Sequence, residues 1–165
     1  MRVIGVISDT HGLLREEALA ALEGSALILH AGDVGDLAIV RRLSEIAPVR
    51  AVRGNTDAGE VADALPETDV VDLTSPNGGV STEGRGPLAY LMHGHQELDL
   101  DPVAAGFRVL VHGHTHEPSV LHRDGVLYFN PGSAGPRRFD LPVTLGRLRV
   151  NGLDVAAEVI HLAVG

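Results

Sequence analysis

Apolar residues run along this chain in short blocks, and most blocks end in a small cluster of polar residues and glycines. Residues 3–8 form an apolar run rich in β-branched side chains, which predicts a buried strand. Residues 14–22 combine helical spacing with good helix formers, and Gly24 is the stop signal. A second strand is expected at 26–30 and a second helix at 36–46, ended before Pro48 because the residue preceding a proline disfavours helical backbone. Residues 49–53 read as a third strand. The order βαβαβ predicts a sheet with a parallel core and helices on its faces.

The second half changes character. Strands are expected at 70–74 and 88–92, joined by a glycine-rich loop at 76–87 that carries Asn77, Gly78, Gly79, Gly84 and Gly86. That loop is expected to be mobile. Residues 107–111 read as another buried strand, and the pairs 120–121/126–129 and 144–150/154–162 flank hairpin turns at Arg123-Asp124-Gly125 and Asn151-Gly152. Together these predict a two-sheet α/β sandwich with flanking helices, its second sheet mixed or antiparallel. No repeat, linker or low-complexity tract divides the chain, so residues 1–165 are read as one domain.

Composition excludes several classes. The chain has no cysteine, which removes disulfides, thiol catalysis and Cys-ligated zinc. A net charge of −9 disfavours contact with nucleic-acid phosphates. No apolar run reaches the roughly 20 residues of a membrane span, and charge arrives too early for a signal peptide, so the expected location is the cytoplasm. Nine histidines are more than packing needs.

Five polar motifs follow five expected strands: Asp9-Thr10-His11, Gly32-Asp33, Gly54-Asn55-Thr56-Asp57, His93-Gly94-His95 and Gly113-His114-Thr115-His116. The crevice beyond the carboxyl ends of strands is where open α/β sheets bind ligands. Singly, each motif also reads as a turn, a helix cap or a surface histidine cluster. In an extended segment His112, His114 and His116 would share one face. Their convergence on five strand tips favours one metal-binding site. Imidazole, carboxylate and amide donors without thiolate suit Mn, Fe, Zn, Co or Ni. Two carboxylates, one amide and four histidines exceed one tetrahedral site, so two divalent ions sharing an Asp are expected, able to activate a hydroxide for in-line attack on phosphorus.

In this order the motifs resemble those of the calcineurin-like metallophosphoesterase superfamily, and within it the small bacterial and archaeal phosphodiesterase branch, whose retromer-subunit relatives share the fold. Ile7-Ser8-Asp9-Thr10-His11-Gly12 near the start, and Asn130-Pro131-Gly132-Ser133 with Pro136-Arg137 near the end, carry the resemblance along the chain. It implies a four-layer, metallophosphatase-like sandwich. It implies that Asp9, His11 and His116 bind one metal, that Asp33 bridges, and that Asn55, His93 and His114 complete the second. The expected cofactors are two divalent transition-metal ions, Mn²⁺ first, with Fe, Zn, Co or Ni as alternatives. The implied activity is hydrolysis of small phosphate diesters by a metal-bound hydroxide. The alternative is a non-catalytic scaffold or interaction module of the same fold.

One motif departs from the wider superfamily. Many members have Gly-Asn-His-Asp/Glu, where the His is thought to protonate the leaving group; this chain has Gly54-Asn55-Thr56-Asp57. The candidates for that acid are His95 and, secondarily, Asp57, while Arg53 is read either as facing the phosphate or as a structural ion pair. His30 and His112 are expected to be buried and hydrogen-bonded, His122 and His161 solvated or packed, and the turn at 130–133 a support for the site. No capping domain is evident, so the site is expected to be open, with the glycine-rich loop as its mobile edge. The partner is a small phosphoester; nucleic acid and membrane are not expected, and a homo-oligomer is left open.

Overall fold

In β1 (Arg2–Ile7) the side chains alternate between two apolar surroundings, and this sets the layering: Ile4 and Val6 face one core while Ile7 faces another. The computed structural model describes residues 1–82 and 86–164. The chain continues through α1 (Glu16–Leu22), β2 (Leu27–His30), α2 (Leu37–Ser44), β3 (Val49–Ala51), α3 (Gly59–Ala64), β4 (Thr68–Asp72) and β5 (Leu88–Met92). It ends with α4 (Pro102–Ala105), β6 (Phe107–Val111), β7 (Ser119–Arg123), β8 (Val126–Asn130), β9 (Thr144–Asn151) and β10 (Asp154–His161).

Two mixed five-stranded sheets result, ordered β10-β9-β1-β2-β3 and β4-β5-β6-β8-β7. Ile4, Val6, Leu27, Leu29, Leu148 and Val150 of the first meet Leu91, Val109, Val111, Leu127 and Phe129 of the second in a fully apolar layer. On the outer face of the first sheet, α1 and α2 bury Leu19, Leu22, Ile39 and Leu43 against Ile7, Ile28 and Leu145. The outer face of the second sheet gathers Tyr90, Met92, Phe107 and Leu110 and carries the short α4. This is the expected two-sheet sandwich, with helices outside. Among the described residues, no helix is long and apolar enough to cross a membrane.

The structure settles one point that the sequence left open and overturns one expectation. The last hairpin joins the first sheet, where β9 runs antiparallel to β1 with Ile4 opposite Leu148. The loop between β4 and β5 lies at the opposite end of the molecule from the polar motifs. β4 and β5 are antiparallel, so their connection sits at the start of β5, whereas His93 follows its end. The Arg2 Nη2 at the start of β1 donates to Ser75 O at 2.5 Å, and Asp72 Oδ1 accepts from Thr74 N at 2.9 Å. The loop is therefore no edge of the site; Gly84, part of the expected mobile stretch, lies outside the described residues.

Two helices carried no pattern to read. α3 buries none of its six residues, and α4 is a single turn started by Pro102 and capped by Asp101, whose carboxylate accepts from Val103 N at 3.0 Å. What matters for function is direction. β1, β2 and β3 are mutually parallel, as are β5, β6 and β8, so each set delivers its polar residues to one end.

Phe129 is fully buried between the sheets, whereas Leu121 on edge strand β7 is 46% exposed. Phe129→Ala should cost about 3–5 kcal/mol and Leu121→Ala less than about 0.5 kcal/mol, measured by urea unfolding of metal-free protein. Equal losses would misplace the core.

Candidate metal centre

The tips of β1, β2, β3, β5 and β6 meet at one end and are stitched together by backbone. Asp9 N donates to Gly32 O at 3.0 Å, His11 N to Asp33 O at 2.9 Å, and Gly113 N to His93 O at 2.8 Å. Five of the seven candidate ligands hold left-handed backbone: Asp9 (φ 56°), His11 (45°), Asp33 (54°), His114 (73°) and His116 (65°). L-residues enter this region at a cost, and such strain gathers at functional sites. Glycines give the ligands room. A Cβ on Gly54 would occupy the place of the Asp33 carboxylate, and one on Gly113 would strike Ser8 Oγ and lie 2.6 Å from Asp9 Oδ2.

The seven side chains form two groups. Asp9, His11 and His116 bring one ligand atom each within 4.8 Å of one another, and so do Asp33, His93 and His114. His11 Nε2 stands 3.3 Å from His116 Nε2, with Asp9 Oδ1 3.4 Å from the latter. In the second group His114 Nδ1 lies 3.3 Å from His93 Nε2 and 3.1 Å from Asn55 Oδ1. Asp33 Oδ2 is 3.1 Å from His93 Nε2 and 3.7 Å from His11 Nε2, so one oxygen reaches both groups.

The hydrogen-bonding inventory fits cations. His93 Nδ1 donates to Ala31 O at 2.8 Å, which leaves Nε2, 3.1 Å from Asp33 Oδ2, as the ring atom that takes a proton or a metal ion; burial opposes its protonation, but Asp33 and Asp9 outweigh burial and push the His93 pKa up. Asp9 Oδ1 is buried and, among the described residues, has no hydrogen-bond partner. Burial alone would raise the Asp9 pKa, but the adjacent His11 and His116 imidazoles, the Ser8 hydrogen bond and the charge of a protonated His93 outweigh it, holding the carboxyl far below its usual range. Asp33 is likewise held at about 2, with burial opposed by His93 and the Thr56 N–H. Both are ready anions at neutral pH. Lone pairs facing lone pairs in a buried place call for protons or metal ions between them.

The expected extended run of histidines is not what brings them together. The left-handed residues His114 and His116 bend the segment after β6, and His112 turns away to the outer face of the second sheet. His93 has an outer acceptor that fixes its ring, but the buried Nδ1 of His116 meets no partner among the described residues.

The candidates for substrate chemistry separate. Asp57 accepts three backbone N–H bonds, from Gly54 (2.9 Å), Val34 (3.1 Å) and Gly35 (2.9 Å), and so ties the β2 tip to the β3 tip. Arg53 donates to Ala62 O and Leu65 O and pairs with Glu67 at 3.2 Å, which engages it with α3 and the segment that follows, the structural ion pair of its two expected readings. His95 is exposed at the rim, its ring 5.5 Å from that of His93 and 6.2 Å from that of His114.

Residues beyond the candidate ligands hold the centre in place, the turn at 130–133 among them. Ser8 Oγ donates to Asp9 Oδ2 at 2.6 Å, and His114 N donates to the same oxygen at 3.1 Å. Ser133 Oγ donates to Asp9 O at 3.0 Å, and Asn130 Nδ2 donates to Gly113 O and Thr115 Oγ1. His30, as expected, is fully buried: Gly32 N–H donates to its Nδ1, so Nε2 carries the proton and donates to Thr10 Oγ1, which donates to Val34 O. A polar residue ending an apolar strand is the signal that Ser8 and His30 share.

The model of the calcineurin-like phosphoesterase superfamily domain matches residues 1–152, and the chain belongs to that superfamily. It is 34% identical to a probable metallophosphoesterase of Methanothermobacter thermautotrophicus, over 96% of this chain and 92% of that protein. It is 33% identical to the phosphodiesterase YfcE of Escherichia coli, over 91% and 89%. The crystal structure of Vps29 from Chaetomium thermophilum superposes with a TM-score of 0.73 at 19% identity, covering 98% of each chain, a likeness of fold.

Burial, against the partial pull of Asp9 and Asp57, depresses the His30 pKa from 6.5 to about 4. The folded state thus keeps His30 neutral where the unfolded chain takes up a proton. Stability should therefore fall as pH drops from about 6.5 to about 4, by roughly 3 kcal/mol in all. Urea unfolding of chelator-treated protein across this range checks it: His30→Gln should flatten the slope, and identical slopes would remove His30 as the source.

Proposed function

We propose that this member of the calcineurin-like phosphoesterase superfamily is a binuclear metal-dependent phosphodiesterase acting on small phosphate diesters. The observation that carries the reading is Asp33 Oδ2, which faces His93 Nε2 at 3.1 Å and His11 Nε2 at 3.7 Å and so stands between two groups of metal-ligating side chains. Asp9, His11 and His116 would hold one ion, Asn55, His93 and His114 the other, and Asp33 both. The oxygen and imidazole donors suit Mn²⁺, with Fe, Zn, Co or Ni as alternatives. Two such ions, when bound, supply a nucleophile at neutral pH and neutralise phosphoryl charge.

The chain's own part is orientation and proton handling. Ser8 and the His114 N–H fix Asp9, Ala31 O fixes the His93 tautomer, and the Thr56 N–H fixes Asp33 Oδ1 at 2.9 Å. Thr56 stands where other branches place a histidine, and Asp57 and Arg53 are engaged by backbone and by Glu67. His95 is then the side chain placed to give the leaving oxygen its proton. The relatives named as phosphodiesterases support the diester class, and the net charge of −9 disfavours nucleic acid.

Saturation with Mn²⁺ should load two ions per chain by elemental analysis. Asp33→Ala should lose metal and cut diester hydrolysis more than about 100-fold, whereas His122→Ala on β7 should change little. Two bound ions without hydrolysis across a diester panel would favour the scaffold reading; one ion at most would overturn the binuclear one.

General acid catalysis is typically worth about 10²–10⁴-fold and matters most for poor leaving groups. Aryl diesters should therefore be hydrolysed well and alkyl diesters weakly. His95→Gln should depress alkyl substrates far more than activated aryl ones. A rate series against leaving-group pKa decides it, parallel lines for the two proteins removing His95 from this role.

A further inference from the structure

Behind the metal centre lies an apolar groove that the hydrolytic chemistry does not use. Met92, Leu98, Leu110, His112 and Tyr128 line a cavity of about 210 Å³ on the outer face of the second sheet, beside Gly94 and Gln96. Groove and centre stand back to back. Met92 faces the groove and the next residue of its strand, His93, faces the centre; His112 faces the groove, and the left-handed turn at His114 carries that side chain to the centre. Both strands end here, so the way from one side to the other passes over the loop at 93–95. Gly94 forms that crossing with no side chain, at a left-handed φ of 106°, and its N–H is held by Gln96 Oε1 at 3.1 Å. His95 stands exposed at the same rim.

The surroundings decide what fits. The following loop exposes Glu97, Asp99 and Asp101, which repel a second phosphate or a polyanionic arm. Met92 is 4% exposed and Leu98 36%, so the groove offers an apolar floor with an open apolar wall. Resting on the phosphodiesterase reading, we infer that this groove is a subsite for the ester group that does not leave, and that it selects diesters carrying an uncharged apolar or aromatic arm. The phosphorus sits at the metal centre, the leaving group faces His95 and solvent, and the retained arm crosses Gly94 into the groove.

The test keeps the leaving group constant. Methyl and phenyl p-nitrophenyl phosphate both release p-nitrophenolate, and each rate is normalised to its uncatalysed rate. Burying a ring should raise kcat/KM of the phenyl compound on the order of ten-fold over the methyl compound. Leu98→Asp should bring that ratio toward one, while Leu121→Ser on the distant edge strand keeps it. A second readout needs no turnover. The chain has two methionines, the exposed Met1 and the groove-lining Met92, so ¹³C-methyl labelling gives two assignable signals. Phenylphosphonate should move the Met92 signal and leave Met1 in place; methylphosphonate should move neither. A wild-type ratio near one, or a Met92 signal unmoved by saturating phenylphosphonate, overturns the groove and leaves the phosphodiesterase reading standing. Hydrolysis of neither diester by the two-metal protein overturns that reading, and the Met92 signal still decides the groove.

Discussion

Burying the Asp9 carboxylate between two sheets is the constraint on which the rest of the molecule turns. An isolated carboxylate in an apolar interior costs far more than a domain's whole margin of stability. Here one oxygen is satisfied by Ser8 Oγ and the His114 N–H, so the compensation comes from both sheets. The other oxygen is left facing His11, His93 and His116. An acceptor satisfied on one side and bare on the other makes a docking point for a cation. The residue's own N–H and C=O are also tied, to Gly32 and Ser133, so the carboxylate has no freedom to escape.

That arrangement dictates the backbone around it. Strand ends from two sheets must come close enough for ligand atoms three or four bonds from Cα to meet. The loops manage this with left-handed turns at five ligands and with glycines where a Cβ would collide. The asymmetry is instructive. Asp and His enter the left-handed region more readily than most side chains, yet Asp9 and Asp33 are braced by Ser8 and by the distant His114 and Thr56 N–H groups, while the histidine turns are held by Asn130 and the backbone bonds between tips. Asp57, with three N–H donors on one carboxylate, does for the β2–β3 pair what Asn130 does for β6 and β8.

Much of this could be read before the fold. The buried strands announced themselves as β-branched runs, and five polar tips in register with five strand ends pointed to one site because parallel strands deliver their carboxyl ends together. What could not be read depends on long-range pairing or on conformation without a residue signature. Nothing in residues 144–162 says which sheet receives the last hairpin; that follows from Leu148 and Val150 packing into the inter-sheet layer beside β1. The alternation expected at His112, His114 and His116 fails because histidine gives no warning of a left-handed turn. α3 buries none of its residues and so left no amphipathic trace. The loop at 76–87 looked mobile and near the site because glycine content reports flexibility but not location.

Charge closes the account of what such a site would accept. The chain is acidic, its two innermost carboxylates are firmly ionised, and Arg53, which could have met an anion, is held by Glu67 and two carbonyls. On the proposed reading, attraction for a phosphate must then come almost wholly from the ions that the centre holds. Such attraction is short-ranged: with a Debye length of about 8 Å at physiological ionic strength, it fades a few ångströms beyond the rim. A single bridging phosphate can feel it, whereas further phosphates along a polymer would meet Glu97, Asp99 and Asp101. Discrimination in favour of small diesters with uncharged arms would thus follow from where the charges lie.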